Sequence, residues 1–258
     1  MDTPVSRASE AEPDMSDRSD ELDWEAIART LSAIGQLKRT LRTGWLDRGV
    51  PGRETESVAD HSFRVALLAW MVATTNPSGS HDDRAIDPAR VLLIALAHDL
   101  PEAFAGDPTP YAPEDVPPES DPVARRAFLE QRQQRGAARS ADKRAAEEAS
   151  MARLLNGLPA ALAGQLGGAW REYEEQSTPE SRLVKQADRL ETWLQSREYL
   201  ADDPDLPMGS FAREVADPET LPDPAMRNLR DAIERMSPGP PSDEGQNDLS
   251  GETGRKDT

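Results

Sequence analysis

The chain has 258 residues, a formal net charge of -18 and no cysteine, which excludes disulfides, thiolate metal sites and a cysteine nucleophile. Setting aside an acidic stretch at each end, the remainder still carries -10, so a polyanion would be repelled and nucleic-acid binding is disfavoured. No apolar stretch approaches the roughly 20 residues needed to cross a bilayer, and MDTPVSRASEAEPDMSD lacks a signal-peptide core; a soluble, cytoplasmic protein with no membrane partner is the expectation.

Residues 1–22 are rich in Ser, Asp, Glu and Pro and hold too few large apolar side chains to offset ordering entropy, so they read as a disordered tail. The expected domain is 23–236. Its first helix is predicted from Asp23 to Thr40, with Trp24, Ile27, Leu31 and Ile34 at helical spacing, and RTGW breaks it, Gly44 supplying the turn. Ser57-x-x-Asp60 resembles a capping box and places His61 in the first turn of a helix that ends near Thr75. That helix carries a stripe at His61, Val65, Leu68 and Val72.

NPSGSHDD is the exit loop, and its His81, flanked by small and acidic residues, reads as solvent-exposed. Asp87 and Pro88 fit N-cap and N1 of the next helix, which runs through VLLIALAHDLPEAF. Pro101 cannot donate to the carbonyl of Ala97, which predicts a kink there, and Gly106 with Pro108 ends the helix. Residues 107–122 hold six prolines and read as irregular loop.

The stretch Val123–Arg144 is basic within an acidic protein, and a solvated helix face is its default reading. It leads into a helix reaching Leu155, with further helices near 159–175, 179–200 and 223–236. Residues 237–258 read as a second disordered acidic tail. Almost nothing reads as strand, so the fold class expected is all-α. Only 4 of the 30 basic residues are lysine; acid excess with scarce lysine fits a salt-rich cytoplasm, where screening relieves self-repulsion.

His98 and Asp99 sit side by side in an apolar run, where an imidazole and a carboxylate without partners would cost several kcal/mol to bury. A bound cation satisfies both. His61 and Asp188, the latter mid-helix in SRLVKQADRLETWL, lie on segments with helical periodicity and are the further ligand candidates. Without sulfur, a site of imidazole and carboxylate suits Mn, Co, Fe, Ni or Zn, with Mg admissible where carboxylates dominate. Glu102 follows His98 by four and Asp99 by three positions, which puts it on the same helix face.

The order of LKRTLRTGW, ESVADHSFRVA, HDLPEAFAGDPTP and VKQADRLETWLQSREY resembles the HD-domain metal-dependent phosphohydrolases, and within them the 5'-deoxynucleotidase branch. The resemblance implies a helical bundle with a metal site in its core, bound by His61, His98, Asp99 and Asp188. It implies Glu102 and Asp107 as catalytic acids, with a second ion at these two as a further option. It associates Arg42 with the phosphate and Trp45 with the deoxyribose, although here Thr43 and Gly44 separate the two; Lys38 and Arg39 are alternative phosphate contacts. The implied substrate is a small nucleotide, a deoxyribonucleoside 5'-monophosphate, and the implied cofactor a divalent cation, Mn, Co or Mg first. Members commonly form homodimers. A broader phosphohydrolase and a non-catalytic helical interaction module are the alternatives.

Overall fold

The computed structural model describes residues 23–75 and 85–236. Both expected tails, the loop NPSGSHDD and His81 lie outside the described residues. Among the described residues there is no strand, only an isolated antiparallel bridge between Leu41 and Ser57, and no helix is long and apolar enough to cross a membrane. The all-α expectation holds.

Helix α1 (Trp24–Ile34) starts at Asp23, whose carboxylate accepts from the Ala26 amide. It ends earlier than Thr40, because the chain tightens into a 3-10 turn over Gly35–Lys38. The expected stripe is also displaced: Trp24 and Leu31 are exposed, whereas Ala26 and Thr30 are buried. Close approach explains this. Ala26 lies beside Gly157, and the Thr30 hydroxyl donates to the Leu154 carbonyl at 3.0 Å, a contact that larger side chains would prevent. Gly44 does not make a turn; it lies inside a short helix, α2 (Thr43–Asp47).

Helix α3 (Val58–Thr75) begins as its capping signal predicts, with Ser57 and Asp60 exchanging hydrogen bonds, and His61, Val65, Leu68 and Val72 are all buried. Helix α4 (Pro88–Ala97) has Asp87 as N-cap and Pro88 at its start. Pro101 does more than kink it. The helix stops at Ala97, residues 98–101 form tight turns, and a four-residue helix α5 (Glu102–Ala105) follows, closed by Gly106 at φ +74°.

The basic stretch is two helices, α6 (Pro122–Glu130) and α7 (Ala137–Leu155), joined by an extended linker. Beyond them lie α8 (Ala160–Glu175), α9 (Pro179–Asp202), α10 (Gly209–Ala216) and α11 (Pro224–Met236). Helix α10 has no counterpart among the sequence-based expectations. Helices α3, α4, α8 and α9 pack on one another around Val65, Ile94, Trp170, Leu183 and Leu190. That bundle fixes the backbone positions from which the site residues project. Burial of a Leu or Ile side chain there contributes about 1.5–3 kcal/mol.

Candidate metal centre and adjoining cavity

His61 leaves the first turn of α3, His98 and Asp99 leave the turn that Pro101 imposes after α4, and Asp188 leaves the middle of α9. The packing gathers His61, His98 and Asp99 into one cluster and sets Asp188 against His61. His61 Nε2 lies 3.2 Å from Asp188 Oδ1 and 3.8 Å from Asp99 Oδ2, and His98 Nε2 lies 3.1 Å from Asp99 Oδ2. Both Nε2 atoms are buried without a hydrogen-bond partner. Two unpartnered imidazole nitrogens facing two carboxylates fit a divalent cation, whose charge would satisfy all four.

The opposite edge of each imidazole is fixed. His61 Nδ1 bonds the Glu191 carboxylate, and His98 Nδ1 donates to the Ala95 carbonyl at 2.6 Å. These partners set the tautomer that leaves the Nε2 lone pairs facing the cation. Glu191 is fully buried and is itself held by Arg64 Nε at 2.8 Å. Asp188 is held through Oδ2 by Tyr173 Oη at 2.6 Å and Lys185 Nζ at 3.0 Å. Glu191 and Tyr173 carry no signal in the sequence that marks them out, although Glu191 lies one turn after Asp188 on the same helix face. Replacing Glu191 with Ala is expected to weaken Co(II) binding roughly 10–100-fold, measured by competition with a chromogenic chelator.

Burial works against the charge of His61, Asp99 and Asp188, and the neighbours decide the outcome. Asp99 is held well below the usual carboxylate range by His98 and then His61, against the upward push of burial. Asp188 is likewise lowered, by Lys185 and His61. Burial and then Arg42 push His61 down, but the nearby carboxylates of Asp188 and Glu191 outweigh them and carry it up to about 9. The folded value lies above the 6.5 of a free imidazole. The metal-free fold therefore keeps this contribution in full below pH 6.5 and loses it as pH rises through 9. A cation must displace the same proton, so its apparent affinity is expected to rise roughly tenfold per pH unit between 7 and 9; an affinity flat over that range, measured in a Co(II) titration, would contradict the assignment.

Glu102 opens α5 with Oε2 buried and without a partner. Burial, then the charges of Asp99 and Asp107, push its carboxyl well above the usual range, which favours the protonated form of this acid beside the ligands. Asp107 plays a structural part as well, since Oδ2 accepts from the Thr43 amide at 2.6 Å and lies 3.9 Å from Arg42 Nε. It thereby caps α2 and places the adjacent Arg42. Burial opposes the charge on that guanidinium, but Asp107 and then Asp99 act against this and hold it charged, and its Nη1 is buried without a partner. Lys38 and Arg39 are exposed on the 3-10 turn.

Arg42 and Asp107 also line a cavity of about 240 Å³, whose other walls include Trp45, Tyr111, Gln133 and Phe211. Trp45 is both a core residue and part of this wall. It is 2% exposed, packs on Tyr199 and Phe211, and donates its indole N–H to Glu56 at 2.8 Å.

Residues 34–213 match the HD domain family. The mouse protein described as 5'-deoxynucleotidase HDDC2 is 34% identical over 173 residues, covering 67% of this chain and 69% of that one. The human protein of the same description is 33% identical over 174 residues, covering 67% and 68%. Among solved structures, a conserved hypothetical protein from Pyrococcus furiosus superposes with a TM-score of 0.54 at 28% identity, covering 81% of this chain and 97% of that one. Helical architecture, ligand order and these likenesses agree, and the chain belongs to the HD-domain metal-dependent phosphohydrolases, in their 5'-deoxynucleotidase branch.

Proposed function

We propose that the protein hydrolyses deoxyribonucleoside 5'-monophosphates to deoxyribonucleoside and phosphate, with Mn, Co or Mg at the centre built by His61, His98, Asp99 and Asp188. The observation that carries this is the pair of unpartnered, buried Nε2 atoms meeting two carboxylates, with a Glu102 pushed toward its protonated form and an unpartnered Arg42 Nη1 alongside. A divalent cation there supplies Lewis acidity, lowering the pKa of a water and drawing charge from a phosphate oxygen.

The chain's own residues divide the remaining work. Arg42 offers its free N–H to a phosphate oxygen and stabilises the charge that builds up in the transition state. Glu102 holds a proton within the same cavity and donates it to the departing 5'-oxygen. Asp107, through the α2 amide and Arg42, keeps the guanidinium aimed. The nucleoside occupies the adjoining cavity, where Trp45 and Phe211 supply apolar walls, and contact between Trp45 and C2' disfavours a 2'-hydroxyl. Inorganic phosphate release with Co(II) or Mn(II) is expected from dAMP, dCMP, dGMP or dTMP, more slowly from AMP, and negligibly from dATP. No release from any of the four deoxynucleotides refutes this reading, and equal turnover of dATP replaces it with a broader phosphohydrolase.

A further inference from the structure

Four arginines of the basic stretch, Arg125, Arg126, Arg135 and Arg139, donate to backbone carbonyls. Arg135 Nη2 donates to the carbonyls of Pro108 and Thr109 at 2.6 and 2.9 Å, and Arg139 Nη2 donates to that of Tyr111 at 2.7 Å. Arg125 reaches the carbonyls of Pro117 and Asp47 at 3.2 and 2.9 Å. Of the acceptors of Arg125, Arg135 and Arg139, all but Asp47 lie in the proline-rich loop after Asp107, whose prolines cannot donate to a regular ladder. At the other end of the linker, Arg132 pairs with Glu214 of α10 at 3.0 Å.

The linker after α6 therefore crosses the cavity from α10 to the proline loop, with Gln131, Arg132 and Gln133 on its wall. Few apolar contacts hold it. Between Gln131 and Ala146 no residue is fully buried; the buried side chains of α7 start at Glu147. Hydrogen bonds from charged donors are thus the main attachment of this roof, and each is stronger than a neutral one. Pro108, Thr109 and Tyr111 line the cavity that Arg42 and Asp107 also border. The position of the loop carbonyls therefore sets how tightly a nucleoside can be enclosed.

We infer that Arg135 and Arg139 are positioning residues for nucleoside binding: they fasten the linker roof to the proline loop and so hold the wall of the substrate cavity in place. The inference rests on the proposed deoxynucleotidase reading. Neither residue is a cation ligand, so their loss acts on enclosure of the nucleoside rather than on bond cleavage. Positioning lost by about an ångström costs up to the order of 10² in binding-dependent rate. The roof is charge-anchored, so it also depends on guanidinium donors and not on bulk.

Steady-state kinetics on dNMPs test this with R139Q and the double variant R135Q/R139Q, using full-length protein loaded with Co(II). KM is expected to rise at least about tenfold in the double variant while kcat changes less than about twofold, and R139K is expected to reverse most of the KM increase of R139Q, because a lysine still donates to one carbonyl. Amide hydrogen exchange over residues 107–116 is expected to quicken in the double variant while that of α3 and α9 stays unchanged. An unchanged KM, or a fall in kcat at constant KM, overturns the inference. Wild-type protein that hydrolyses no dNMP would instead sink the functional reading on which it rests.

Discussion

Asp99→Ala is expected to lose its divalent ion and, with it, phosphate release from dAMP by at least about 10³-fold. Asp99 Oδ2 lies within 3.8 Å of both imidazole Nε2 atoms, and without it Asp188 is the one carboxylate left among the proposed ligands. The Lewis acidity of the site is worth several kcal/mol of transition-state stabilisation, and each 1.36 kcal/mol is a factor of ten in rate. Metal content of the purified variant, measured by plasma emission beside turnover, checks this. Stoichiometric metal with undiminished turnover would remove Asp99 from the centre.

Glu102→Gln separates proton transfer from ion binding. The amide keeps the volume of the carboxyl but has no proton of suitable acidity to hand over. Turnover is therefore expected to fall by roughly 10²–10⁴ while the ion stays bound. Stability moves the other way. Burial, then Asp99 and Asp107, raise the folded pKa of Glu102 above the ordinary 4.5. As pH climbs past 4.5 the unfolded chain ionises at this position while the folded protein resists, so the wild type is progressively destabilised. Removing the ionisable group relieves that cost, and the metal-free variant is expected to melt higher than metal-free wild type at pH 7. A variant that is as active as the wild type, or that melts lower, would show Glu102 to be an ion-paired structural acid.

The local part of this architecture was legible because it is written in short-range chemistry. Ser57 and Asp60 start α3, Asp87 and Pro88 start α4, and Gly106 closes α5 with a positive φ, each within four residues of the signal that announces it. The ligand candidates stood out because histidine and aspartate in apolar helical runs need a partner. Trp24 and Leu31 misled for the opposite reason. Their spacing is that of a buried stripe, yet the close approach of Gly157 to Ala26 turns the other face of α1 inward.

What periodicity could not supply is which side chains meet across helices far apart in sequence. Glu191 sits among polar residues on α9 and looks like one more surface acid, yet it is fully buried on His61, 130 positions away. Trp45 and Glu56, Asp107 and the Thr43 amide, and Arg135 and the Pro108 carbonyl are pairings of the same kind. None follows a helical repeat, and three involve irregular backbone whose path depends on its contacts.

The chain by itself thus determined that there are helices, where most of them start, and which histidines and aspartates are candidates to hold a cation, because capping, periodicity and the cost of burying polar groups act locally. Only the tertiary packing decided which nitrogen of each histidine faces inward, which acid stays protonated, and that a run of arginines fastens a loop. These depend on distances between distant segments, and desolvation and charge interactions are set by those distances.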